Sequence, residues 1–138
     1  MDLNPKHFTA PLDKYEFAHH ILDSNSTLVV MPMAWLTLQH PDTLTEQAQV
    51  PDVDTLAGWV RRLQPLIDAR SPQEIIFIAC NRAGEEGDAA YAGTSAVVGV
   101  KDGNVKVYGC LGRGAEELLV CDVPSAPVSK FAGLELGG

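Results

Sequence analysis

The run Ile75-Ile-Phe-Ile-Ala-Cys80 constrains this chain more than any other stretch. It has no polar position, is rich in Ile and Phe, and is bounded by Pro72 on one side and Asn81-Arg82 on the other. A run this short and this uniformly apolar suits a strand buried on both faces better than a helix. Residues 81–88, Asn-Arg-Ala-Gly-Glu-Glu-Gly-Asp, then read as a polar loop carrying charge. A second apolar run, 96–100, is separated from Val105 by Asp102-Gly103, a pair that supplies the positive φ angles of a tight hairpin turn. A buried strand, a charged loop and a hairpin therefore organise the middle of the chain, and chemistry would sit on the loop.

With 138 residues, 46% of them hydrophobic and 20% charged, the chain is one domain or a piece of one. Its net charge of −8, with no cluster of Lys and Arg, argues against nucleic acid as a partner. No apolar run approaches the ~20 residues that span a bilayer, and no signal peptide is evident, so no membrane association is expected. Cys80, Cys110 and Cys121 are odd in number and sit in apolar, strand-like surroundings. They read as free thiols in a reducing compartment, the cytoplasm or the nucleus.

Along the chain, residues 1–11 contain two prolines and read as a loop. Asp13 is a candidate cap for a helix over 14–24 with Phe17, Ile21 and Leu22 on one face. Residues 28–35, Leu-Val-Val-Met-Pro-Met-Ala-Trp, form the next strand, with Pro32 where the ladder must loosen. A polar link over 37–53 exceeds the usual ~4–6 residues, so it is a functional flap or a surface excursion. Asp54 starts a second helix through 68, with Leu56, Trp59, Val60, Leu63 and Ile67 at helical spacing and Pro65 kinking or shortening its end. Residues 117–122 read as a last strand after the Gly112-Arg-Gly114 turn. The Pro-, Ser- and Gly-rich segment 124–138 reads as a loose tail beyond a domain of residues 1–123. The element order points to an α/β chain with a mixed sheet and helices on one face.

Several side chains could carry chemistry. Each cysteine lies in apolar surroundings, where a free thiol behaves as a small hydrophobe rather than a low-pKa nucleophile. The histidines (His7, His19, His20 and His40) show no metal-binding spacing, so neither a metal nor any other cofactor is expected. Trp35 closes a strand where α/β sheets place pocket residues, and both core packing and pocket wall are open to it. Trp59, on a helical stripe, reads as packing. Gly93 lets the backbone approach a neighbour just before Thr94 and Ser95.

Met1-Asp-Leu-Asn-Pro5, Met33-Ala-Trp-Leu36, Asn81-Arg-x-Gly84 with Glu86, Tyr91-x-Gly93-x-Ser95 and Leu111-Gly-Arg-Gly114 occur in that order. Together they resemble the later half of a carbon–nitrogen hydrolase of the nitrilase superfamily, nearest to the fungal protein N-terminal asparagine/glutamine amidases of the N-degron pathway. The likeness covers 1–123. It implies the later half of a four-layer α-β-β-α sandwich, and a parent enzyme that hydrolyses the side-chain amide of N-terminal Asn or Gln. The family's Cys nucleophile is expected immediately before the position of Met1, with its Glu and Lys further upstream. No catalytic residue is therefore carried over, and the chain is expected to be inactive alone. A truncated product of a longer enzyme is one reading, and a non-catalytic protein that binds amidase partners or N-termini is the other.

The resemblance also gives the charged loop two possible roles. Asn81, Arg82, Gly84, Gly93 and Ser95 are expected to hold the loop, with Glu86 as the carboxylate partner of Arg82. Alternatively Glu86 or Asp88, with Trp35, lines a pocket that receives the cationic amine of a peptide or protein N-terminus. The expected partners are such N-termini, the missing N-terminal half, or a second copy of the chain.

Overall fold

The structure is a computed structural model that describes residues 14–124. The Met1–Pro5 motif, the opening loop, Asp13 and nearly all of the tail lie outside the described residues. Ten elements follow in order. They are α1 (Glu16–Asp23), β1 (Leu28–Met33), α2 (Pro41–Glu46), α3 (Val53–Arg61), α4 (Gln64–Ala69), β2 (Ile75–Asn81), β3 (Ala83–Glu86), β4 (Ala89–Ala92), β5 (Ala96–Lys101) and β6 (Asn104–Cys110).

The main sheet runs β1-β2-β5-β6, with β1 parallel to β2 and the remaining pairs antiparallel. It is the mixed sheet expected, and β2 lies inside it. Register decides which side chains share a face. Val29, Phe77 and Val98 lie opposite one another across three strands, as do Met31, Ala79 and Ala96 counted along β1, β2 and β5. This face meets Phe17, Ala18 and Ile21 of α1, Trp59 of α3, Leu63 and Leu66 of α4. Phe17 meets Phe77 edge to face, with ring centroids 6.1 Å apart. Leu28, Val30, Ile76, Ile78 and Val97 alternate onto the other face, where no described helix packs. There Leu28 and Val30 are 61% and 54% exposed.

Five sequence readings change. The helix expected over 54–68 breaks in two, because Pro65 cannot continue an α-helical ladder and instead falls in the first turn of α4. The cap of α3 is Asp52, whose Oδ1 accepts the Thr55 N–H at 3.2 Å, rather than Asp54. The link over 37–53 holds α2, with His40 Nδ1 accepting the Asp42 N–H at its start. It is tied at both ends, by Thr37 N–H to Ala90 O at 2.9 Å and by Asp52 N–H to Thr94 Oγ1 at 3.1 Å, so it is an anchored excursion. The charged loop is itself an antiparallel hairpin, β3–β4. The expected strand at 117–122 does not form, since a strand is a pairing and that segment has no partner among the described residues. The Asp102-Gly103 turn is as expected, with φ 51° and 80°.

Phe77 is 1% exposed and Leu38 projects fully into solvent. Chemical denaturation should show Phe77→Ala losing ~3–5 kcal/mol, whereas Leu38→Ala should stay within about 0.5 kcal/mol of wild type. On the β5–β6 side, the Tyr108 hydroxyl donates to Glu74 Oε2 at 2.7 Å. That bond, reinforced by desolvation and the carboxylate charge, pushes the phenol up to about 12. Because the folded-state value is raised, this contribution is present below the ordinary value of about 10 and fades as pH rises through about 12. Ultraviolet titration should return one phenol to near 10 in Glu74→Gln.

Candidate functional site

The end of β2 is where the motif residues meet, and the Asn81 side chain ties them. Asn81 is 8% exposed. Its Oδ1 accepts the Trp35 N–H at 2.7 Å, and its Nδ2 donates to Trp35 O at 3.3 Å and to Gly93 O at 2.9 Å. Its main chain bonds to one hydroxyl twice. The Asn81 N–H donates to Ser95 Oγ at 3.0 Å, and the same hydroxyl donates to Asn81 O at 3.1 Å. Around this knot, Arg82 N–H donates to Met33 O and Gly93 N–H to Arg82 O, at 3.0 and 3.1 Å. Only a carboxamide could serve here, because the site needs one acceptor and two donors on a single short side chain.

Gly93 turns the chain at φ 56°, and a Cβ there would collide with the Arg113 carbonyl. Thr94, fully buried, also takes a left-handed φ of 63°. For a β-branched residue this is a strained conformation. Its hydroxyl donates to Ala92 O at 2.9 Å and accepts the Asp52 N–H, which holds it in place.

Trp35 is half-buried and stands edge to face with Trp59 at 6.5 Å, while the Arg62 guanidinium lies 4.9 Å above its ring. Trp59 is 1% exposed and belongs to the core, as its helical stripe suggested. Arg82 pairs with Glu86 and covers the Tyr91 ring at 4.6 Å. Both partners are at least half exposed, at 50% and 62%, so the pair contributes no more than about 1 kcal/mol. Gly84 lies within β3 and is exposed, and Asp88 is exposed at the hairpin tip. The structure thus brings Trp35, Asn81, Gly93 and Ser95 together, and leaves Glu86 and Asp88 out on the hairpin.

A groove of about 550 Å³ opens beside the knot, walled by Asn81, Ala83, Ser95, Glu116, Glu117 and Leu118. None of Trp35, Glu86 and Asp88 lines it. Cys110 donates weakly to Thr94 O at 3.7 Å, and burial pushes its thiol up, away from a nucleophile's range. Cys80 is exposed, because it lies on the uncovered sheet face rather than in the core that its apolar run suggested. Among the described residues no three His, Cys, Asp or Glu side chains gather as a metal site would require. No described helix is long and apolar enough to cross a membrane.

Sequence reasoning missed Arg113. It is 7% exposed, donates to Gln47 Oε1 at 2.6 Å and to Pro51 O at 3.4 Å, and leaves Nε without a partner. The signal was the pair of glycines around it. The N–H groups of Arg113 and Gly114 donate to Val50 O and Ala48 O at 3.0 Å each, so this turn clamps the 37–53 excursion against the knot.

The chain is 34% identical to the protein N-terminal amidase of Schizosaccharomyces pombe over 131 residues. The chain is a partial match to the protein N-terminal amidase family. That alignment takes in 87% of the chain and 44% of the relative, so the chain spans less than half of the relative's length. A shorter stretch of 36 residues is 47% identical to the protein N-terminal amidase of Saccharomyces cerevisiae, covering 26% of the chain and 8% of the relative. No protein-family model and no solved structure matches the chain.

At this end of the sheet, the Asn81 knot is a positioning device. Asn81→Ala leaves the Trp35 N–H and the Gly93 carbonyl without these partners and removes one of the two bonds to the Trp35 carbonyl, which keeps the Ala92 N–H. At about 1 kcal/mol for each net hydrogen bond, urea unfolding should show a loss of roughly 3 kcal/mol with a shift in tryptophan fluorescence. Arg82→Ala should cost no more than about 1 kcal/mol by the same measurement.

Proposed function

We propose that this chain forms one pocket wall and the supporting sheet of a nitrilase-type amidohydrolase that removes the side-chain amide of N-terminal Asn or Gln. What carries the reading is the pairing of the 131-residue similarity with the Asn81 knot. Trp35, Asn81, Gly93 and Ser95, four of the residues whose order resembles the hydrolase family, are gathered at one end of the sheet. In the proposed reaction a cysteine outside this chain attacks the amide carbonyl carbon. The C–N bond breaks, a proton goes to the departing ammonia, and water then hydrolyses the thioester. The chain's own residues shape the sheet end beside that reaction, with Asn81 and Ser95 walling the groove there and Asn81 and Arg62 fixing Trp35.

The four-layer sandwich is part of this proposal. One face of the sheet carries helices and the other presents Leu28 and Val30 to solvent at its β1 edge, which supports a second sheet against it. Three free cysteines support a reducing compartment, the cytoplasm or the nucleus.

The direct test is a chimera in which this chain replaces the matching region of the S. pombe amidase. It should release ammonia from peptides with N-terminal Asn or Gln, and the chain by itself should release none. A folded chimera without turnover would contradict the proposal. So would turnover by the chain alone that survives replacement of Cys80, Cys110 and Cys121 with Ser.

A further inference from the structure

We infer that Thr94 is a positioning residue for the proposed reaction, held in a strained conformation so that its hydroxyl fixes helix α3, and through it the Trp35 ring, against the Asn81 knot. The inference rests on the amidohydrolase reading above. Thr94 is fully buried at φ 63°, in the left-handed region where a β-branched side chain crowds its own backbone. Glycine is relaxed there, and the chain uses it one position earlier, at Gly93 with φ 56°. Threonine at 94 therefore carries a conformational cost that glycine would not, and the bonds of its side chain must offset it.

The hydroxyl makes two bonds, and each leads to Trp35 by a different route. It donates to Ala92 O at 2.9 Å, and the Ala92 N–H donates to Trp35 O at 2.9 Å. It also accepts the Asp52 N–H at 3.1 Å. Asp52 is 5% exposed and caps α3 through its bond with the Thr55 N–H. Helix α3 carries Trp59, edge to face with Trp35 at 6.5 Å, and is capped at its end by Arg62, whose guanidinium lies 4.9 Å above the Trp35 ring. A helix rises about 1.5 Å per residue, so these two residues stand roughly 10 and 15 Å along the axis from Asp52. A small tilt at the head of α3 becomes a shift of ring against ring at its far end. One oxygen thus sets Trp35 from two sides, through β4 and through α3. A hydroxyl is what the position needs, because it must accept from an N–H and donate to a carbonyl at once. The residues flanking Thr94 belong to the knot itself, since Gly93 O accepts from Asn81 Nδ2 and Ser95 Oγ bonds to the Asn81 main chain.

The test compares T94S, T94V and T94G, in the chain itself and in the chimera with the S. pombe amidase. T94S keeps the hydroxyl, T94V keeps the branched shape and the strain without it, and T94G relaxes the backbone without it. In the chain, exchange of the Asp52 amide should rise about tenfold or more in both T94V and T94G, with T94S within about twofold of wild type. The circular dichroism band of the coupled Trp35–Trp59 pair should weaken in the same two variants. In the chimera, kcat for peptides with N-terminal Asn or Gln should fall about tenfold or more in T94V and T94G, and T94S should retain it. Because glycine favours positive φ, T94G keeps the test decisive where T94V does not fold. Wild-type exchange and dichroism in the folded variants that lack the hydroxyl would overturn the inference, as would T94S impaired as badly as they are. A lowered thermal midpoint with an unchanged tryptophan band and unchanged kcat would assign Thr94 to the core alone and overturn it as well. A chimera inactive with Thr94 in place contradicts the amidohydrolase reading, whereas exchange and dichroism decide the link from Thr94 through α3 to Trp35 without turnover.

Discussion

One carboxamide holds together the end of the sheet where the motif residues meet. Asn81 satisfies an N–H and two carbonyls from two segments that lie 46 and 12 residues away in sequence. The second residue beyond β1, the last residue of β2 and the approach to β5 could each leave polar main chain unpaired at the edge of an apolar core. Such groups cost free energy when buried without partners. With Asn81 in place they converge, and Trp35, Gly93 and Ser95 become a single site. The clamp then extends outward. Arg113 ties the 37–53 excursion to the turn beneath Gly93, and Thr94 accepts the Asp52 N–H at the head of α3.

How much of this could be read from sequence depended on whether one element's own pattern was enough. Strand β2 was legible because six apolar residues admit few alternatives, and the β5–β6 turn because Asp102-Gly103 tolerates positive φ. The face of α1 and the burial of Trp59 followed from helical spacing. Hairpin β3–β4 was hidden because Ala-Gly-Glu-Glu carries no apolar alternation, and its stability comes from pairing with Ala89–Ala92. Residues 117–122 failed in the opposite sense. Their composition favours a strand, but composition cannot provide the neighbour.

The candidate site was legible as a set of residues and less so as a geometry. The order of the Trp35, Asn81, Gly93 and Ser95 motifs marked residues that the fold brings together, yet nothing in spacing says that one side chain bonds to three main-chain groups. Arg113 was invisible for a related reason. The glycines on either side of it signal a turn, but nothing local says that its guanidinium will be buried on a glutamine and a carbonyl. The exposed sheet face and the relative's greater length form a consistent set. Together they support the proposed reading of this chain as the scaffold side of an amidohydrolase site.

The central claim is that Asn81 fixes Trp35 beyond the end of its strand, and exchange at a single amide tests it most directly. The Trp35 N–H has no strand ladder of its own, and its bond is to Asn81 Oδ1. Native-state hydrogen exchange should place it among the protected amides, alongside Arg82 and Ala92, whose N–H groups bond to Met33 and Trp35 carbonyls. Exchange at Trp35 as fast as at an exposed loop amide, with Arg82 and Ala92 still protected, would contradict the account.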